Sequence, residues 1–327
     1  MDIHVSTAPK HLRVTQGMIE DLLWDPVMAA KVIMDEDLDA FQKVRLRYYW
    51  FIPDLEDSSG FSTGKTKVDW IYANLRAILL PDQHIGVIYQ TFQIGKDTFW
   101  QYFNRCRAPI YRAQLGKMSI DNEEAGKANS REPSSWKQYY RNDSLLTMPA
   151  PNFLQDARNL ASWRINTLLL EEWTKIVATS EGIENQLLGR VTRPCYNQNH
   201  PVWANHITRT ATAELGTHKG HRIHQGYVKR VKRGDPDCGY ITYSYKDYSR
   251  RPCRTGKSFA DEYRIEKTLK TMRASLTPEK WRAEGLGLWM RSASGWYPQA
   301  WIEAAIQLGR TRNLIPMVSR SSEGEAA

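Results

Sequence analysis

Apolar positions in this chain change period several times, and each change marks a new element. After Asp25-Pro26, the spacing of Val27, Ala30, Val32 and Ile33, and then of Leu38, Phe41 and Val44, predicts two helices before residue 48. The run Tyr48-Tyr49-Trp50-Phe51-Ile52, aromatic and β-branched and ended by Pro53, reads as a buried strand. Val68, Ile71, Tyr72, Leu75, Ile78 and Leu79 then recur every three or four residues, so 65–80 is expected to be an amphipathic helix stopped by Pro81. A strand over 85–90, a helix over 96–103, a strand over 167–170 and a short helix from Trp173 continue the alternation. Strands alternating with helices argue a parallel sheet. Residues 119–143 are polar and read as a long surface loop or weak helix. Tyr227-Val228 and the alternating 240–245, around Gly234-Asp235-Pro236-Asp237, read as a hairpin whose tyrosines pack the strands. Trp281, Trp289, Trp296 and Trp301 suggest the core of a small helical lid, and the tail from Ser319 a linker or frayed end.

The 327 residues are enough for about two domains and a sizeable core. The longest apolar stretches, such as 77–80, fall far short of the ~20 residues that cross a bilayer, and the first thirty residues hold no signal-like apolar block. A soluble, unexported protein is expected. Cys106, Cys195, Cys238 and Cys253 are irregularly spaced, which fits a reducing cytoplasm better than a disulfide framework.

Where the charge lies changes the picture more than its total of +9. Residues 218–257 hold eleven Lys/Arg against three acids, 11 − 3 = +8, nearly the whole excess. A concentrated cationic patch holds polyanions by summed phosphate contacts, and Lys229, Arg230, Lys232 and Arg233 are its densest part. A solvated loop is the plainer reading.

Candidate chemistry centres on Ser58-Ser59-Gly60-Phe61-Ser62-Thr63-Gly64-Lys65-Thr66, between the first expected strand and the 65–80 helix. In a phosphate loop, backbone N–H groups and the helix N-terminus cradle a polyphosphate, Lys65 reaches its β/γ oxygens, and the Thr66 hydroxyl holds Mg²⁺. Ser59 stands where the motif wants its first glycine, with Gly60 one place late. A second Gly-Lys-Ser, at 256–258, lacks an opening glycine and reads as part of the basic patch. Hydrolysis also needs a strand ending in carboxylates, which 167–172 supplies: Glu171 for the metal and Glu172 as the base that activates water. His218, His221 and His224, with Cys238 and Cys253, can be drawn as a zinc site, but tight pair spacings are missing and Gly220 and Gly226 argue against a helix.

Taken together, these motifs resemble the large terminase subunit of tailed bacteriophages, the ATPase that drives double-stranded DNA into a procapsid. The resemblance extends to Trp24-Asp25-Pro26 with 29–33 and 38–42, to 85–92 with Lys96 and Phe99-Trp100, to Glu171-Glu172-Trp173, and to Thr208-Arg209-Thr210-Ala211-Thr212. It implies an α/β P-loop NTPase of the ASCE, RecA-like kind, with a mainly parallel sheet flanked by helices and a small helical lid. It implies ATP and Mg²⁺ as ligands, held by Gln42 on the adenine, by Ser59, Gly60, Ser62, Thr63, Gly64, Lys65 and Thr66, and by Glu171 with Thr66 on the metal. Coupling falls to Thr210, Ala211 and Thr212, and an arginine finger to Arg158, with Arg164 as substitute. Implied partners are double-stranded DNA, a homo-oligomeric ring (a pentamer on the procapsid), the portal protein and the small terminase subunit, in the cytoplasm of a bacterial host and with no membrane. Glu171 departs from the family's usual Asp, no arginine lies between Gly60 and Lys65, and clustered nuclease aspartates are missing from 301–327. The chain divides into an N-terminal helical segment on the adenine side (1–47), an ATPase core with a basic insertion at 218–258 (48–258), and a C-terminal helical lid and linker (259–327). Two other readings stay open: a nucleic-acid-binding adaptor with an inactive P-loop, and a small-molecule P-loop kinase.

Overall fold

The computed structural model describes residues 16–89, 91–116, 135–149, 164–179, 187–214, 218–245 and 266–289. Three helices open it, α1 (Gln16–Trp24), α2 (Pro26–Met34) and α3 (Ala40–Phe51). Strand β1 (Asp54–Asp57) leads through the 58–64 loop into α4 (Lys65–Leu79). β2 (His84–Ile88), α5 (Phe92–Arg105) and α6 (Pro109–Gln114) follow, then β3 (Ser135–Tyr139) and β4 (Leu145–Pro149). β5 (Thr167–Glu171), α7 (Trp173–Thr179), β6 (His206–Thr210), α8 (Lys219–Lys232) and β7 (Cys238–Ile241) complete the α/β body. α9 (Glu266–Ser275), a helical turn Pro278–Lys280 and a π-helical turn Trp281–Gly285 come last.

Among the described residues the sheet has seven strands in the order β3-β4-β2-β5-β6-β1-β7, parallel except for the antiparallel β3–β4 pair. One strand, β6, therefore separates the strand that feeds the 58–66 loop from the strand that ends in Glu171. Successive β5 side chains enter opposite cores: Leu169 packs with α4 residues such as Val68 and Ile71, while Leu168 and Leu170 pack with Trp173 and Ile176. That is the period of two expected of a strand covered on both faces. Among the described residues no helix is long and apolar enough to cross a membrane.

Three local expectations are corrected. The expected strand at 48–52 is the end of α3, which runs unbroken across residues 47 and 48. Its buried residues Gln42, Arg45, Leu46, Tyr49 and Trp50 share one helical face, and Asp39 closes its first turn in a capping box with Gln42. Tertiary packing outweighs the β propensity of an aromatic run, and the first strand is β1 instead.

The expected hairpin across 227–245 is α8 followed by β7, which pairs in parallel with β1. Tyr227 points inward from α8 and bonds Asp54 and Arg209, contacts that local sequence cannot report. Gly220 does not break the helix, because it lets α8 approach Trp173 and Trp289, each about 3 Å from where a Cβ would stand. Finally, part of the expected 119–143 loop is β3, antiparallel to β4. Arg158, the second Gly-Lys-Ser motif, Trp296, Trp301 and the tail from Ser319 lie outside the described residues.

Candidate functional site

The carboxyl ends of β1, β6 and β5 stop level with one another: Asp57 pairs in register with Thr210, and Thr210 with Glu171. In an open parallel sheet this is the edge where ligands bind, because the loops leaving the strands converge there. The 58–64 loop folds over that edge, with Ser62 at φ 54° and Gly64 at φ 76°, both left-handed. Gly64 takes this conformation without strain and stands at the N-cap of α4. The first turn of α4, whose N–H groups have no partner within the helix, lines one cavity with loop residues Phe61, Ser62 and Thr63.

Lys65 is almost fully buried and donates from Nζ to the carbonyls of Ser59 (2.8 Å) and Gly60 (3.0 Å). Burial lowers its pKa, opposed by the charges of Asp57, Glu172 and Glu171. Thr66 donates from Oγ1 to Glu171 Oε1 at 2.5 Å, and Thr210 donates to the other oxygen, Oε2. A half-buried hydroxyl and a buried carboxylate, both hard oxygen donors, thus meet at one point, a donor set that suits Mg²⁺. Glu172 follows at φ 53°, a left-handed turn costing about 1–3 kcal/mol in a non-glycine residue. Its side chain lines a cavity of about 320 Å³ together with Ser62, Lys65, Thr66, Tyr102 and Thr212. Burial, and then the charge of Glu171, raise the Glu172 pKa above its ordinary value. A raised pKa suits a group that must take up a proton.

Behind the loop stands a network the sequence reading missed. Arg45, fully buried on α3, donates from Nε to Asp57 Oδ2 and from Nη1 to the Thr63 carbonyl, both at 2.5 Å. Tyr49 also donates to Asp57 Oδ2, and the other Asp57 oxygen accepts the Ser59 N–H. The available signal was a lone cation on the apolar face of a helix, beside Leu46 and Tyr49. Ser59, in the place of the motif's first glycine, is wholly buried, and its Oγ accepts the Tyr243 N–H at 2.9 Å. The hydroxyl is thus used to brace the loop.

Gly60 is required by a different neighbour. A Cβ there would stand 2.3 Å from the Gly285 carbonyl oxygen, because the 281–289 segment lies directly on the loop. Phe61 N–H donates to the Glu284 carbonyl (2.7 Å), Gly60 N–H to the Tyr243 carbonyl (2.8 Å), and Trp289 Nε1 to Ser58 Oγ (3.1 Å). The Phe61 ring sits between Tyr245 and Trp281.

The remaining expected residues fall in three places. Gln42 is buried, and its Oε1 accepts the Asp39 N–H in the α3 cap; it is not among the residues lining the 320 Å³ cavity. Ala211 donates its N–H to the Asp57 carbonyl, and Arg164 is exposed just before β5. On α8, Lys229, Lys232 and Arg233 are exposed, whereas Arg230 is tied to Asp54 and Asp235. Lys229 and Lys232 border a cleft of about 640 Å³ with His221, His224, Tyr240 and Trp289. The histidines lie on a helix after all: His218 caps α8, and His221 and His224 stack on Trp289. Among the described residues no group of three or more His, Cys, Asp or Glu has metal-binding geometry.

No protein-family model matches this sequence, and no curated protein matches it either. Solved structures do share the fold. The HK97 bacteriophage large terminase superposes with a TM-score of 0.53 at 13% identity, over 78% of this chain and 51% of its own. A large terminase from a thermophilic bacteriophage superposes with a TM-score of 0.51 at 10% identity, over 78% of this chain and 54% of its own. This chain covers about half the length of each of those proteins. It shares with them an α/β fold, a mainly parallel sheet flanked by helices.

Proposed function

We propose that this chain is an ATP-hydrolysing motor that moves double-stranded DNA into a viral procapsid. The observation that carries the reading is the convergence of Lys65, Thr66, Glu171, Glu172 and Thr210 at the level carboxyl ends of β1, β6 and β5. Loop backbone and the α4 N-terminus receive the phosphates, and the Lys65 ammonium offsets charge on the β/γ oxygens. Thr66 and Glu171 would hold Mg²⁺, which when bound neutralises charge developing on the transferred phosphoryl group. Glu172, lining the cavity, accepts the proton of the attacking water. Thr210, Ala211 and Thr212 carry the change in Glu171 onward, and Gln42 serves the adenine side.

The exposed Lys229, Lys232 and Arg233 on α8 meet duplex phosphates. The chain works in a homo-oligomeric ring on the procapsid, with the portal protein and the small terminase subunit as partners, and Arg158, or Arg164 in its place, is the finger for a neighbouring site. The setting is the cytoplasm of a bacterial host. An inactive adaptor is disfavoured because Ser59 and Glu171, the two departures that suggest it, both occupy working positions. A small-molecule kinase has no use for the cationic face of α8. ATPase turnover with and without duplex DNA separates the three: stimulation supports the motor, indifference the kinase, and no turnover the adaptor. Lys65→Ala should abolish turnover with the fold retained, and a near-normal rate there would remove the 58–66 loop from the reading.

A further inference from the structure

Asp69 is the only acid in α4, one turn beyond Lys65 and Thr66, and it is wholly buried. An acid in that position costs stability unless it is hydrogen-bonded. Its Oδ2 is 3.1 Å from Thr210 Oγ1, while its Oδ1, equally buried, has no hydrogen-bond partner. The same Thr210 hydroxyl donates to Glu171 Oε2, and Glu171 Oε1 takes the hydroxyl of Thr66. These contacts close a ring through three elements: Thr66 to Glu171 on β5, Glu171 to Thr210 on β6, Thr210 to Asp69, and back along one turn of α4. A hydroxyl carries a single proton, so Thr210 serves one carboxylate fully at a time.

We propose that Asp69 is a positioning residue, the alternative acceptor that takes the Thr210 hydroxyl when Glu171 turns to the metal. The exchange passes metal occupancy from the P-loop side to β6 and to residues 211–214 beyond it. It rests on Thr66 and Glu171 as the Mg²⁺ ligands. Without Asp69, Thr210 has nowhere else to donate and competes with the metal for Glu171. Without the Thr210 hydroxyl, that competition disappears whether or not Asp69 is present. A contact that only held α4 against β6 would behave differently, since its two losses would add.

The test is binding of ADP carrying a fluorescent methylanthraniloyl group to the full chain, titrated with Mg²⁺. Asp69→Leu should raise the Mg²⁺ concentration for half-maximal effect about 5-fold, the equivalent of a hydrogen bond of about 1 kcal/mol. Adding Thr210→Val to Asp69→Leu should abolish that rise and bring the value down to that of Thr210→Val alone. Thr210→Val alone should lower it, which keeps the idea testable if the Leu variant does not fold, and Asp69→Asn, which keeps an acceptor oxygen, should stay near the parent. A double variant no better than Asp69→Leu, or a rise with Thr210→Val alone, overturns the proposal. If the parent's binding ignores both Mg²⁺ and Glu171→Gln, the ligand reading itself fails and takes this proposal with it. If the parent responds to both while Asp69→Leu changes nothing, this proposal fails alone.

Discussion

Arg45 and Asp57 form a fully buried ion pair directly behind the 58–64 loop, with Nε and Oδ2 2.5 Å apart and neither side chain exposed. Burial on its own would raise the Asp57 pKa, but the charges of Arg45 and Lys65 outweigh it and hold the carboxyl below its usual 3.8. The pair's contribution to stability is therefore complete above that usual value and is lost as pH falls through the lower folded one. Arg45→Met leaves a buried carboxylate without its nearest counter-charge and should cost about 3–5 kcal/mol in urea unfolding. It should also move the acid limb of stability against pH upward, since burial then acts with less opposition. Parent-like unfolding in both respects would mean that the loop does not depend on the pair.

Glu172→Gln should keep nucleotide binding and lose turnover by at least ~100-fold, as removal of a positioned general base implies. The pH dependence has a definite sign. A base works deprotonated, and burial with the Glu171 charge raises this carboxyl above its ordinary 4.5. Turnover in the parent should thus fall on the acid side at a pH higher than an ordinary glutamate would give. A limb at or below 4.5, or a dead Glu171→Gln beside an active Glu172→Gln, reverses the assignment of the two carboxylates.

Gly60 and Gly226 should respond to alanine in opposite directions. At Gly60 the new methyl meets the Gly285 carbonyl oxygen at 2.3 Å, so the 281–289 segment has to lift and should become open to protease or amide exchange. At Gly226, inside α8, nothing lies within 4 Å of the added carbon. There alanine removes only the entropic penalty of glycine in a helix and should stabilise the protein by about 0.5–1 kcal/mol. Unaltered protection of 281–289 in Gly60→Ala would contradict the contact.

These same residues show which parts of the molecule were legible beforehand. The 65–79 helix, the 167–171 strand and the Lys65, Thr66 and Glu171 constellation follow from short-range pattern, because each needs only period or motif spacing. What was missed depends on distant partners. Tyr48 to Phe51 join a helix because that helix buries Tyr49 and Trp50, and Gly60 is explained only by residue 285, far along the chain. Arg45 and Asp69 looked ordinary for the same reason: their partners are at Asp57, Thr63 and Thr210.

On α8 the cations should divide by role. If Lys229, Lys232 and Arg233 meet phosphates, replacing all three by alanine should lower the slope of log affinity against log salt on duplex DNA by up to about 3, at ~0.9 per contact. Arg230→Ala should mainly reduce stability, because its guanidinium holds Asp54 and Asp235. The two effects are read by salt titration of binding and by thermal melting. An unchanged slope in the triple variant would assign this face to a protein partner.

The bond from Trp289 to Ser58 spans 231 residues. Since a chain is made from its N-terminus and domains form as their residues emerge, the loop that begins at Ser58 exists long before the segment that covers it. Lys65, Thr66 and Glu171 can be in place early in synthesis, but Phe61 finds its Glu284 acceptor only after more than two hundred further residues have been made. Completion of the site is thereby tied to synthesis of residues 281–289, and a product ending before residue 281 carries the motif without its cover.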